Sequence, residues 1–116
     1  MSRTGAQTLI VALDGATWDL ADRYMADGLM PNLSRLCREG ARASLNSTMP
    51  PMTLPAWSTM LTGCNPGRHG VFDFVRKARD GWALEFTNAT HRAVPTWMRV
   101  LSDRGLRAAS VAVPTT

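Results

Sequence analysis

The 116 residues, 45% hydrophobic and 19% charged, suffice for one small domain with a core and exclude a chain disordered by composition. No window approaches the roughly 18 uninterrupted apolar residues of a membrane span, and Met1 to Gln7 lacks the apolar centre of a signal peptide, so the expected location is the cytoplasm. The net charge of +4 and pI near 10.0 would suit a nucleic-acid binder, but the basic residues are scattered and lack aromatic interleaving, so no nucleic-acid partner is expected. The one tight group, Arg76-Lys77-Ala78-Arg79, reads as a solvated loop. Cys37 and Cys64 have neither pairing nor metal-type spacing and read as reduced thiols.

Residues 1–7 are expected to be a disordered tail. Thr8 to Leu13 then reads T-L-I-V-A-L, followed at once by Asp14-Gly15. A short continuous apolar run of this kind fits a parallel strand buried on both faces, and α/β proteins place their ligand sites beyond the C-terminal ends of such strands. Asp14 is therefore a candidate site residue; the plainer alternative is a turn-forming Asp-Gly. Trp18 to Ala26 carries a helical pattern broken by Gly28. A second helix is predicted from Pro31 through Glu39, with Leu33, Leu36 and Cys37 facing inward and Gly40 as the stop signal. Ala41 to Asn46 fits a short strand.

The stretch from Pro50 to Gly70, P-P-M-T-L-P-A-W-S-T-M-L-T-G-C-N-P-G-R-H-G, has the layout of a nucleophile delivered at a helix start. Thr53 stands just before Pro55, a residue tolerated in a first helical turn, and Leu54, Trp57, Met60 and Leu61 follow at helical spacing. A hydroxyl there sits among unpaired backbone N–H groups at the positive end of the helix dipole, where a phosphate or sulfate can be held. Thr53 acting only as a helix cap is the competing reading. The helix should end near Thr62-Gly63, and Asn65, Pro66, Gly67 and Gly70 predict a turn-rich passage.

Val71 to Val75 and Trp82 to Thr87 read as short extended segments on either side of an Arg-Asp-Gly turn. Val94-Pro95-Thr96 opens a helix through Arg104, and Leu106 to Val113 gives another strand. Strand, helix, strand, helix and strand in succession predict an α/β fold with a largely parallel sheet. About three core strands would leave the edges of a doubly wound sheet uncovered, so a piece of a larger domain is expected.

Several strings occur in one order: L-D-G-A-T-W-D at Leu13 to Asp19, M-P-N-L at Met30 to Leu33, T-L-P-A-W at Thr53 to Trp57, and L-T-G-C-N-P-G-R-H-G at Leu61 to Gly70. With Phe72-Asp73-Phe74, Pro95-Thr96-Trp97 and Val113-Pro114-Thr115, they resemble the alkaline phosphatase superfamily over nearly the whole chain after Gln7. Within it they resemble the type I phosphodiesterase and nucleotide pyrophosphatase branch, including bacterial phosphohydrolase or phosphomutase-like members. The resemblance implies that residues 8–116 are the N-terminal portion of a catalytic domain with a doubly wound, largely parallel sheet, incomplete after about three core strands. It also implies a metal-dependent phosphoester hydrolase acting on small-molecule phosphoesters, with two divalent metal ions, usually zinc. Asp14 and Thr53 would be ligands of one of them. Thr53 would be the nucleophile, forming a covalent phospho-threonine, and the Leu54 backbone N–H would bind the phosphoryl group.

Departures narrow this expectation. Ala56 stands where the nucleotide pyrophosphatases carry an Asn that holds phosphoryl oxygens, which weakens the inference to nucleotide substrates. Thr53 and Trp57 stand where sulfatases carry an oxidisable Cys or Ser and an Arg, which disfavours sulfatase chemistry. A mutase using Ser at the nucleophile position is a further relative. His69 matches a histidine common in the family and is read as structural. The family's further metal ligands lie downstream and neither His69 nor His91 matches them, so these 116 residues alone should bind metal poorly and turn over little. A non-catalytic binding or scaffold member of the same superfamily is the alternative.

Overall fold

The structure, a computed structural model, describes residues 8–114. It divides into two compact units, Met1–Leu45 and Asn46–Thr116. The tail expected over residues 1–7 lies outside the described residues.

In the first unit, helices α1 (Trp18–Ala26) and α2 (Pro31–Glu39) form over the ranges the sequence predicts. Gly28 closes α1 with a left-handed φ of 73°, so that its N–H donates to Met25 O (3.1 Å) while Leu29 N–H reaches Tyr24 O (2.8 Å). This paired closure satisfies two carbonyls that the helix end leaves without partners. Pro31 opens α2, where a missing N–H costs nothing. The inward side of α2 is Leu33, Ser34 and Cys37, whereas Leu36, expected inside, is exposed. A polar clasp joins α1 to the segment after α2. Trp18 Nε1–H donates to Ala43 O (3.0 Å), and the Arg42 guanidinium lies 4.0 Å from the Trp18 ring centroid while binding both Asp22 oxygens (2.7 and 2.8 Å). The fork geometry of arginine allows both contacts at once.

The second unit is built on α3 (Thr53–Thr62), which buries Leu54, Ser58 and Leu61 at intervals of four and three residues. With Val71, Leu54 and Leu61 make the buried apolar core, and full burial of each such side chain contributes about 1.5–3 kcal/mol. Gly63, at φ 66°, ends the helix. Asn65 then caps α4 (Pro66–His69) by accepting from Arg68 N–H at 3.2 Å, with Pro66 in the first position. Strands β1 (Val75–Lys77) and β2 (Leu84–Phe86) pair antiparallel with Arg76 opposite Glu85. A 3-10 turn (Ala89–His91), capped by Asn88, leads to α5 (Trp97–Asp103), whose first turn is capped by Thr96. Gly105, at φ 75°, closes α5 with the same paired bonding seen at the end of α1.

The chain is thus a mixture of helices and a small two-stranded sheet, consistent with an α/β fragment. The doubly wound parallel sheet is not formed among the described residues. Thr8 to Leu13, Ala41 to Asn46 and Leu106 to Val113 have no ladder partner there, and Leu9, Ile10, Val11 and Leu13 are exposed. Apolar composition states which environment a segment suits; a parallel strand also needs a neighbour whose edge accepts its hydrogen bonds. The extended segment expected at Val71 to Val75 begins only at Val75, because Val71 is drawn into the core. The Arg76 cluster expected to be a solvated loop starts instead as strand, with Arg76 paired to Glu85 (3.2 Å) and Lys77 3.9 Å above the Trp82 ring.

Two glycines of the second unit provide an internally controlled test. A Cβ at Gly105 meets nothing within 4 Å, so Gly105→Ala reads backbone strain alone and should lower stability by about 1–2 kcal/mol. Gly67→Ala, at an ordinary backbone conformation with only Asn65 Oδ1 at 3.5 Å, should be neutral or slightly stabilising. Urea denaturation of both variants checks the contrast.

Candidate active site

The start of α3 determines what Thr53 can do. Met52, extended at φ −121° and ψ 156°, occupies the cap position and offers no side-chain acceptor. Thr53 is the first helical residue, so its competing reading as the cap does not hold. Ala56 N–H donates to Met52 O at 3.0 Å, and Pro55 has no N–H. The N–H groups of Thr53 and Leu54 are therefore the first-turn donors without a backbone acceptor among the described residues. No hydrogen bond engages the half-buried Thr53 hydroxyl among those residues, and no acidic side chain neutralises the first turn. The result is an anion-receptive helix start with a hydroxyl beside it.

Asp14 belongs to the first unit. It sits in an exposed turn with Gly15 at φ 69°, and among the described residues no hydrogen bond or ion pair holds its carboxylate. A carboxylate and a hydroxyl are oxygen donors of the kind divalent cations take. Among the described residues, however, no three or more His, Cys, Asp or Glu side chains are grouped to hold a metal ion. Asp14 and Thr53 lie in different units, and each offers one such oxygen donor. Cys37 and Cys64 are free thiols, both half-buried.

His69 is fully buried, and both its ring nitrogens are engaged. Val71 N–H donates to Nδ1 at 3.1 Å, which assigns Nδ1 as the acceptor. In the neutral ring Nε2 then carries the proton and donates to Thr59 Oγ1 at 3.0 Å. This tautomer cannot take a proton from Thr59, so the pair is no nucleophile and base. Burial holds the His69 pKa below its ordinary value, the nearby Arg92 charge adds to the depression, and the Pro55 carbonyl opposes it. Burial likewise lowers the pKa of Arg92.

An open cleft of about 540 Å³ lies elsewhere in the second unit, lined by Arg76, Glu85, His91 and Arg92 among others, and Thr53 does not line it. Glu85 stands between Arg76 (3.2 Å) and His91 Nε2 (3.6 Å), so its carboxylate is compensated locally. Thr59 escaped the sequence reading. Its one signal was its position four residues after Pro55 on the helix that carries Thr53.

Helices with a short two-stranded antiparallel ribbon make the chain consistent with an α/β fragment. The chain belongs to the type I phosphodiesterase / nucleotide pyrophosphatase family, whose model matches residues 8–116. The family is one of phosphoester hydrolases. No curated protein and no solved structure matches the chain. No helix among the described residues is long and apolar enough to cross a membrane.

The His69 environment has a pH signature. With the folded-state pKa below the ordinary value of 6.5, the unfolded chain binds the extra proton first as pH falls. His69's contribution is therefore complete above about pH 6.5 and is lost as pH drops through that value toward the depressed folded pKa. Denaturation midpoints followed between pH 8 and pH 5 should fall on the acid side, and His69→Gln should flatten that part of the profile.

Proposed function

We propose that this chain supplies the nucleophile-bearing part of a metal-dependent phosphoester hydrolase acting on a small-molecule phosphoester. Thr53 Oγ1 attacks phosphorus, the new O–P bond replaces the bond to the leaving alkoxide, and the Thr53 proton passes to solvent. Water then attacks the phospho-threonine, forms its own bond to phosphorus and returns the hydroxyl to Thr53. The Leu54 N–H, with the positive end of α3 behind it, stabilises charge on the transferring group. Two divalent metal ions, zinc by the resemblance, would neutralise charge at the reacting phosphoryl group, with Asp14 and Thr53 contributing oxygen donors. The observation that carries this reading is the Thr53 hydroxyl, unused as a cap, in the same open first turn as the Leu54 N–H. Ala56, which offers no amide to the phosphoryl oxygens, favours a substrate outside the nucleotides.

The test is turnover of a phosphodiester and a phosphomonoester by the full product of the open reading frame, supplied with zinc. Thr53→Ala should reduce kcat on the order of 10³-fold or more, as loss of a nucleophile does, and Asp14→Asn should weaken the zinc dependence. Undiminished turnover by Thr53→Ala would exclude Thr53 as the nucleophile. Full binding of a phosphoester without turnover by the wild type would favour the non-catalytic binding member. The 116 residues by themselves should show little or no turnover.

A further inference from the structure

We infer that His69 is a positioning residue for the Thr53 turn, its Nε2–H holding the Thr59 hydroxyl so that α3 keeps one orientation. The inference rests on Thr53 being the nucleophile. Thr59 lies on the same helix as Thr53, fewer than two turns further on. A fully buried donor that holds a side chain of α3 restrains the rotation of the helix about its axis. Cβ directions on a helix follow that rotation, so the direction of the Thr53 hydroxyl follows it too.

His69 is held both at its ring and at its backbone. Val71 N–H occupies Nδ1, Val71 packs in the core beside it, and the His69 carbonyl accepts from Ala93 N–H at 2.9 Å, tying α4 to the segment that leads into α5. A fully buried ring with both nitrogens engaged has little rotational freedom to lose, which suits it to hold another group in place.

The two ends of the imidazole can be tested separately. Gln places an amide N–H near the former Nε2 and loses the acceptor for Val71, whereas Asn keeps a short acceptor near Nδ1 and loses the reach to Thr59. In the full gene product, His69→Asn should lower kcat by about 10- to 100-fold with KM little changed, the scale expected of a slightly misplaced reacting group. His69→Gln should recover most of that loss. A purely structural histidine would give equal losses that follow the folded fraction, so denaturation midpoints are measured on both variants and kcat is compared where both are folded.

Should either variant fail to fold, Thr59→Val removes the hydroxyl without touching the ring. It should lower kcat about fivefold at unchanged KM, the scale of one hydrogen bond, and Thr59→Ser should restore it. Equal loss in Asn and Gln, or unchanged kcat in Thr59→Val, overturns the positioning role. Retained turnover in Thr53→Ala overturns the nucleophile reading instead. Independently of activity, ¹⁵N shifts of the His69 ring should report a proton on Nε2; a proton on Nδ1 would overturn the donor assignment.

Discussion

The second unit turns on one buried imidazole. Taking the His69 ring out of water costs free energy unless each nitrogen finds a partner, and the chain meets that demand from opposite directions with Val71 N–H and the Thr59 hydroxyl. These two bonds explain the path of the chain around the ring. Gly63 and Gly70, both left-handed, fold the backbone back so that a residue ten positions after Thr59 meets it, and Val71 enters the core two residues later. Helix α3, helix α4 and the segment before α5 then share one fixed reference. The candidate nucleophile lies on the first of the three.

The helices were legible from the sequence because their signals are local. Pro31 bounds α2 by its missing N–H and Gly40 by its missing Cβ, which would stand 3.0 Å from the Leu36 carbonyl oxygen, and Leu54, Ser58 and Leu61 follow the helical period. The strand signals were different in kind. Thr8 to Leu13 carries the composition of a buried strand, but composition cannot supply the edge it must pair with, and no such edge stands beside it among the described residues. Arg76 misled for a related reason. Its charge looked solvated until the register placed Glu85 opposite it.

Of the candidate site, the turn from Thr53 to Leu54 could be read ahead of the structure, since Pro55 three residues after a cap position announces a helix start. Which residue would cap it could not. Thr53 and Met52 compete for that place, and the choice of Met52 leaves the threonine hydroxyl available for chemistry. The Thr59 to His69 contact was also hidden, because a side-chain pairing across a turn-rich passage leaves no periodic trace. Family membership gives phosphoester hydrolysis its place here, and the start of α3 leaves the Thr53 and Leu54 N–H groups without a backbone acceptor among the described residues.

The bonds around His69 join residues close together in the chain, and this bears on how the unit forms. Closing short loops costs little entropy, so contacts between Thr59, His69 and Val71 can assemble early and without long-range pairing. The apolar run at Thr8 to Leu13 has no such local partner, and parallel pairing is intrinsically slow. The start of α3 therefore gains its geometry from its own neighbourhood. A turn defined in that way can keep its shape while a surrounding sheet is gained, lost or rearranged.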